Sequence, residues 1–310
     1  MQANRIKYSN SADWLSGRQG KIGGSTIASI IGLDKYRTPL QVFLDLTGQS
    51  SSQPEENKYI IAGHRLEPIV VEYFVDATGA AIDESSIGDI SYTHPEYDFL
   101  VASPDREYIL DGEPCILECK TTQFEVDTDS ELFQKWFCQL QWYLMLTGYN
   151  QGVIAWLSRG VDFDYREFEA NREVQGILLE SALNFWNNNV LTNTPPDAVN
   201  TSDLMKLYRE STGLSGECDE GLYRTIQMLK DKKERLKQFE EEVEALDEYV
   251  RIAIGANEEM TYCGSTVATY RFSTRKTVDS KLLKERYPDI YSSVLKESVT
   301  RKLTLKCSGN

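Results

Sequence analysis

The sequence predicts a mixed α/β fold followed by a C-terminal extension with one long helix and a small β element. Three observations carry that reading. Short apolar runs bounded by turn residues fall at 99–120 and 152–170, as strands require, and longer amphipathic runs fall at 131–148 and 172–189. The dipeptides Asp111-Gly112 and Arg159-Gly160 sit where consecutive strands must reverse. From Leu222 to Ile254 there is no Gly or Pro, so a helix there would run roughly 50 Å at 1.5 Å per residue.

Taken in order, the chain opens as a loop. "GGSTIASIIGL" (23–33) reads as a helix, with Ser25 as the N-cap candidate behind two glycines. "TPLQVFLDLTG" (38–48) is a second helix, with Pro39 in its first turn and Gly48 at its stop. Residues 49–58 are polar and loop-like. "GHRLEPIVVEYFVDATG" (63–79) is helical, and Pro68 must lie in its first turn or kink it. "FLVASPD" (99–105), "REYIL" (106–110) and "PCILECK" (114–120) are strands around Asp111-Gly112. "ELFQKWFCQLQWYLMLTG" (131–148) is a helix with an apolar stripe at 132, 133, 136, 137, 140, 143 and 144. "GVIAWLS" (152–158) and "FDYREFEA" (163–170) are strands, and a helix follows over about 172–189. The turn-rich "NNNVLTNTPPD" (187–197) places a boundary, giving units 1–200 and 201–310. In the second unit an arm over about 218–255 has apolar residues at 3/4 spacing, broken at Lys232-Lys233. A coiled-coil-like arm, half of a helical pair and the core helix of a small domain all fit. "STVATYRFS" (265–273) reads as a short β pair before a basic end.

Composition narrows the function classes. No run of eighteen apolar residues exists, so no membrane span is expected, and the N-terminus lacks the apolar stretch of a secretory signal. Six cysteines, at 115, 119, 138, 218, 263 and 307, include no CxxC pair, so no zinc ribbon is indicated and a reduced, cytoplasmic protein is the simplest reading. No phosphate-binding GxxxxGK[ST] loop is present, so ATP use is not indicated. Two histidines, His64 and His94, exclude a His-rich metal site. The net charge of −15 is uneven: residues 265–310 carry ten Lys/Arg against four Asp/Glu, leaving −21 on the remaining 264. A local basic patch is compatible with nucleic-acid contact, as is an unevenly charged solvated surface.

The chemistry concentrates in "ILECKTT" (116–122). Glu118 and Lys120 alternate onto one face of an apolar strand, with Leu117 and Cys119 on the other. A two-residue turn at Asp111-Gly112 sets Asp105 opposite Glu118 and Ser103 opposite Lys120, although Pro104, without an N–H, can disturb that pairing. Facing carboxylates repel unless a cation lies between them. Oxygen ligands without histidine favour Mg2+ or Mn2+. Two carboxylates and a lysine suit metal-dependent phosphodiester hydrolysis, in which lysine orients or deprotonates water and balances developing charge.

"SPD" followed by "ECK" resembles the PD-(D/E)XK nuclease signature. In order, "W…R…IGGS", "GHRLEP", "ASPD", "LECKT" and "QLQWYLMLTG" resemble the YqaJ-like phage recombinases, the family of lambda exonuclease, over residues 14–190. That resemblance implies a restriction-endonuclease-like core, a mixed central sheet flanked by helices. It implies metal ligation by Asp105, Glu118 and the backbone carbonyl of Cys119, with two Mg2+ ions (Mn2+ as substitute) and no iron–sulfur cluster. Lys120 would be the catalytic lysine, Glu67 the helical glutamate supporting the metal site, and Gln139 the first glutamine of a QxQ helix beside the active strand, with Gln141 of less consequence. Arg18 and Ser25 match positions that hold the 5′-phosphate of a DNA end, and a helix N-terminus suits phosphate. Ser103 is a further candidate for phosphate contact, with a simple turn role as the alternative.

The activity implied is a Mg2+-dependent 5′→3′ exonuclease on double-stranded DNA ends, working with a phage-type single-strand annealing protein in a bacterial host. A homo-oligomer is expected, and the lambda-type arrangement is a ring-shaped trimer. A metal-dependent, structure-specific endonuclease on the same fold is the first alternative. A catalytically inactive DNA-binding or partner-docking module is the second, weakened by the intact Asp105, Glu118 and Lys120. The extension, including "VATYRFSTRKTVDSKLLKERYPDIY", resembles the C-terminal region of many YqaJ-like members. It offers Arg271, Arg275, Lys276, Lys281 and Lys284 as DNA contacts.

Overall fold

The turn at Asp111-Gly112 organises the central sheet. Both residues have positive φ, 51° and 89°, which a tight two-residue hairpin needs and glycine adopts without strain. The computed structural model describes residues 3–50, 58–87, 89–211, 213–296 and 299–306. Residues 51–57, most of the loop expected at 49–58, lie outside that description, as does Cys307.

Two compact units divide the chain, Met1–Leu207 and Tyr208–Asn310. The first contains β1 (Asn4–Lys7), α1 (Ser11–Arg18), α2 (Gly24–Ile30), α3 (Pro39–Leu46), α4 (Lys58–Thr78), β2 (Ala81–Ile82), β3 (Ile90–Thr93), β4 (Val101–Ala102), β5 (Arg106–Leu110), β6 (Glu113–Thr122), α5 (Glu131–Thr147), β7 (Gln151–Ser158), β8 (Asp162–Glu169), α6 (Arg172–Phe185) and α7 (Thr201–Leu207). A π-helical turn, Trp186–Val190, extends α6. The unit runs past residue 200 because α7 is tied back to α3: Thr38 Oγ1 donates to Asp203 at 2.9 Å and Lys206 Nζ to Gln41 Oε1 at 2.8 Å.

The main sheet has the order β2-β5-β6-β7-β8. The β6–β7 pair is parallel and the other pairs are antiparallel. A parallel neighbour needs a crossover, and α5 supplies it. The alternation of β6 decides what each face meets. Cys115 and Leu117 pack with Val70 and Phe74 of α4, while Ile116 packs with Leu140 and Leu144 of α5. Glu118 and Lys120 follow Ile116 onto the α5 face. A second sheet, β1-β3-β4, lies earlier in the chain. Ile22 bridges Leu100 in parallel, with its N–H on Phe99 O at 2.8 Å and its carbonyl accepting from Val101 N at 2.9 Å.

Several expectations are corrected. Ser25 is not an N-cap: Gly23 caps α2 and Ser25 is the second helical residue, facing solvent. Of the two expectations for Pro68, a place in the first turn or a kink, the first fails. It lies inside α4, which starts at Lys58, so the carbonyl of His64 loses its helical donor. Residues 99–105 are strand only at Val101–Ala102, and these pair with β3. The β5–β6 ladder stops at Arg106–Leu117, one residue short of an Asp105–Glu118 pair, where Pro104 cannot donate. Helix α1 occupies part of the expected opening loop.

The second unit holds α8 (Glu220–Ile254), β9 (Glu259–Tyr262), β10 (Ser265–Thr269), α9 (Ser280–Arg286) and α10 (Pro288–Val294). The β pair joins 259–262 to 265–269 through Cys263-Gly264, with a bulge, rather than folding 265–273 on itself. Among the described residues no helix is long and apolar enough to cross a membrane.

Candidate active site

Glu118 is 1 % exposed. Its Oε1 accepts from Lys120 Nζ at 2.5 Å and from Gln139 Nε2 at 2.6 Å. Its Oε2 is buried without a hydrogen-bond partner. Gln139 is bound at both ends: its Oε1 accepts from Lys120 Nζ at 3.0 Å and its Nε2 also donates to Tyr143 Oη at 2.8 Å. Helix geometry explains the alignment. Gln139 and Tyr143 are four residues apart on α5, hence on one face, and that face lies over β6. Ser130 caps the helix, and Gly148, at φ 77°, ends it.

Asp105 closes the site from the bend just before β5. Its Oδ2 accepts from the Cys119 N–H at 2.7 Å, so the carboxylate caps a main-chain donor instead of facing Glu118 as a ladder partner. Glu67, from α4, accepts from Arg106 Nη1 at 2.7 Å, and the same guanidinium nitrogen donates to the Asp105 carbonyl. The Arg106 fork therefore ties the helical glutamate to the segment bearing Asp105. Trp142 Nε1 donates to Val101 O at 2.8 Å and holds that segment against α5. The Ser103 hydroxyl, between the two, is buried without a partner.

The electrostatics follow from crowding three carboxylates. Burial, reinforced by Asp105, pushes the Glu118 carboxyl up to about 8. Burial raises Asp105 also, against the pull of Lys120 and the Cys119 N–H. Burial and then Asp105 raise Glu67 despite Arg106. For Lys120 burial works the other way, yet Glu118 and Asp105 outweigh it and the ammonium is held above its ordinary value. Burial lifts the Cys119 thiol well above its ordinary range, so this sulfur is no nucleophile.

The start of α2 reaches the same place. A Cβ on Gly24 would lie 2.5 Å from Tyr143 Cε1 and 3.0 Å from Gln139 Cγ, so the backbone at residue 24 touches the side chains that hold Glu118. Arg18, at the end of α1, lies with its guanidinium 4.2 Å over the Trp14 ring. Its charge pulls the Tyr143 phenol down, although burial raises that group overall.

Asp105, Glu118, Lys120, Glu67, Gln139 and the Cys119 main chain thus form one cluster. Arg271, Arg275, Lys276, Lys281 and Lys284 belong to the second unit and are exposed. Arg271 is engaged there by Glu259 at 2.9 Å and Glu258 at 3.9 Å. Gln141 joins Glu169 O, the Asn171 N–H and Gln175, which splices β8 to α6. Sequence reasoning missed Arg106 and Tyr143. Each had a signal: Arg106 adjoins Asp105, and Tyr143 stands one turn beyond Gln139.

The chain is similar to several known proteins. Residues 13–150 match the model of the YqaJ-like viral recombinase domain. The chain is 29 % identical over 305 residues to an uncharacterised protein, YqaJ, of Bacillus subtilis (strain 168), covering 95 % of this chain and 93 % of that one. Among solved structures, LHK-Exo in complex with dAMP aligns with TM-score 0.46 at 17 % identity, over 63 % of this chain and 97 % of that one. An alkaline exonuclease, LHK-Exo from Laribacter hongkongensis, aligns at 0.45 and 18 %, over 59 % and 94 %. A phage-related exonuclease from Haemophilus somnus 129PT aligns at 0.40 and 16 %, over 56 % and 96 %. Over residues 13–150 this chain is similar to the YqaJ-like viral recombinase domain.

Proposed function

We propose that the chain is a Mg2+-dependent exonuclease that degrades double-stranded DNA from 5′ ends. The observation that carries this reading is the Glu118 carboxylate: one oxygen held by Lys120 and Gln139, the other buried without a partner, beside Asp105. An orphaned buried carboxylate oxygen is costly unless it has a ligand, and a hard divalent cation is the ligand that oxygen atoms favour. No three His, Cys, Asp or Glu side chains cluster as a metal cage among the described residues. Asp105 and Glu118 would therefore be the side-chain ligands, joined by the Cys119 carbonyl, with the DNA phosphate completing the set. That is the usual manner of Mg2+, which binds through one or two carboxylates plus substrate phosphate.

A bound cation would supply Lewis-acid charge to the scissile phosphate. The protein's own groups do the rest. Lys120 presents an ammonium that balances charge developing on the phosphate oxygens, and Gln139 fixes both that ammonium and Glu118. Glu67, through Arg106, steadies the segment bearing Asp105. Arg18 lies close enough to lower the Tyr143 phenol, and Ser25 follows Gly24 in the first turn of α2; a terminal 5′-phosphate is the ligand assigned to the two.

The test uses purified protein and Mg2+ with linear duplexes bearing a 5′-phosphate or 5′-hydroxyl, a nicked circle and a closed circle, with Glu118→Ala as control. Mononucleotide release from linear ends, faster with 5′-phosphate and lost in the variant, is expected. Cutting of closed circles would assign an endonuclease instead. No divalent-dependent cutting of any substrate would remove the catalytic reading.

A further inference from the structure

We propose that α8 pairs with the α8 of a second copy of this chain, antiparallel and in end-to-end register. The helix is 35 residues long, and only Ile254 in it is buried. Leu236, Phe239, Val243, Leu246 and Val250 repeat at 3/4 spacing, and Val250, the least exposed of the five, is still 44 % open to solvent. Leu236, Phe239 and Val243 line a shallow groove edged by Glu240, Glu244 and Asp247. Such a stripe is the seam of a two-helix coiled coil.

Charge identifies the occupant. Residues 230–237 hold five Lys/Arg and two Asp/Glu, whereas residues 240–248 hold six Asp/Glu and no Lys/Arg. The groove has its acidic edge in the second block, so its partner must bring an apolar stripe flanked by basic residues. The first block of another α8 meets that requirement. A parallel pair would set like blocks side by side, and an antiparallel pair sets basic against acidic.

Register follows from the heptad. Aligning the two helices so that their ends coincide to within one residue places Leu236 against Phe239 of the second copy and Leu229 against Leu246. Lys232 then faces Val243, the single charged residue in the seam, and such a residue fixes register. At the flanks Lys233 meets Glu240 and Arg235 meets Glu242. The ion pairs found within α8 are Arg224–Glu220, Lys237–Glu241 and Arg251–Asp247, which use none of those four residues.

The experiment is sedimentation equilibrium on the full 35.3 kDa chain without DNA. One variant carries Lys233→Glu with Arg235→Glu, the other Glu240→Lys with Glu242→Lys. Each alone sets like charges across the seam and is expected to weaken self-association at least about tenfold. Mixed one to one, the two restore opposite charges at every flank, and the mass should return to that of the unsubstituted chain. Recovery on mixing reads the pairing even if a lone variant frays its helix. Three results would overturn the proposal: an unsubstituted chain that stays monomeric, variants that associate as it does, or a mixture that does not recover.

Discussion

Gly24 and Tyr143 are in contact so close that position 24 has no room for a side chain. A Cβ there would lie 2.5 Å from Tyr143 Cε1, nearer than carbon atoms pack. The glycine lets α2 settle directly on the face of α5 that holds Glu118 through Gln139. Gly24→Ala should therefore destabilise the protein by about 1–3 kcal/mol, as overpacking does, and lower nuclease activity by about tenfold or more through displacement of Gln139. Urea unfolding and turnover on linear duplex measure the two effects. A variant with unchanged stability would show that the helices part freely.

The Glu118 carboxyl gives the metal-free protein a distinctive pH dependence. Its value is raised from 4.5 to about 8 by burial and Asp105. The folded state thus keeps a proton that the unfolded chain has released. Its contribution to stability is full below pH 4.5 and is lost as pH rises toward 8. Melting temperature in EDTA should fall across that window, and Glu118→Gln should flatten the fall. Mg2+ should restore stability most near pH 8, where the carboxylate is ionised. An identical melting profile for the unsubstituted and Gln proteins would contradict this account of the site.

Lys120 and Gln139 share Glu118, so their contributions cannot be additive. Each donates to Oε1, and Lys120 also donates to Gln139 Oε1. A double-mutant cycle with Lys120→Met and Gln139→Leu should give a coupling energy of about 0.5–3 kcal/mol in stability, as residues of one hydrogen-bond network do. Gln139→Leu alone also strands the Tyr143 hydroxyl and should cost about 1–3 kcal/mol. Additive losses would mean that the two side chains act independently.

What the sequence made legible depended on how local the determining physics was. The Asp111-Gly112 hairpin, the span of α5 and the α8 arm follow from turn chemistry, capping and unbroken periodicity. So did the placement of Glu118 and Lys120 on one face. Asp105 was harder: its ladder with β6 ends where Pro104 lacks a donor, and the carboxylate turns to the Cys119 N–H. Ser25 looked like a cap by residue type, but α2 already begins at Gly24, with Gly23 as its cap. Pro68 sits deep in α4 because packing of Val70 and Phe74 against the sheet sustains a helix that propensity alone would stop. The sheet β1-β3-β4 escaped notice since its strands are two to four residues long, below what alternation can resolve.

Ser103 separates folding from function. Its hydroxyl is buried without a partner, so it adds nothing to the free protein that a methyl group would not. Ser103→Ala should leave stability within about 0.5 kcal/mol or raise it slightly, because an unsatisfied polar atom is removed. If the hydroxyl is there to meet a DNA phosphate, the same change should raise KM for linear duplex several-fold with kcat less affected. Thermal melts and initial rates over a range of DNA concentrations distinguish the cases. A clear loss of stability would give the hydroxyl a structural partner. Unchanged stability with unchanged KM would take Ser103 out of the phosphate-binding set.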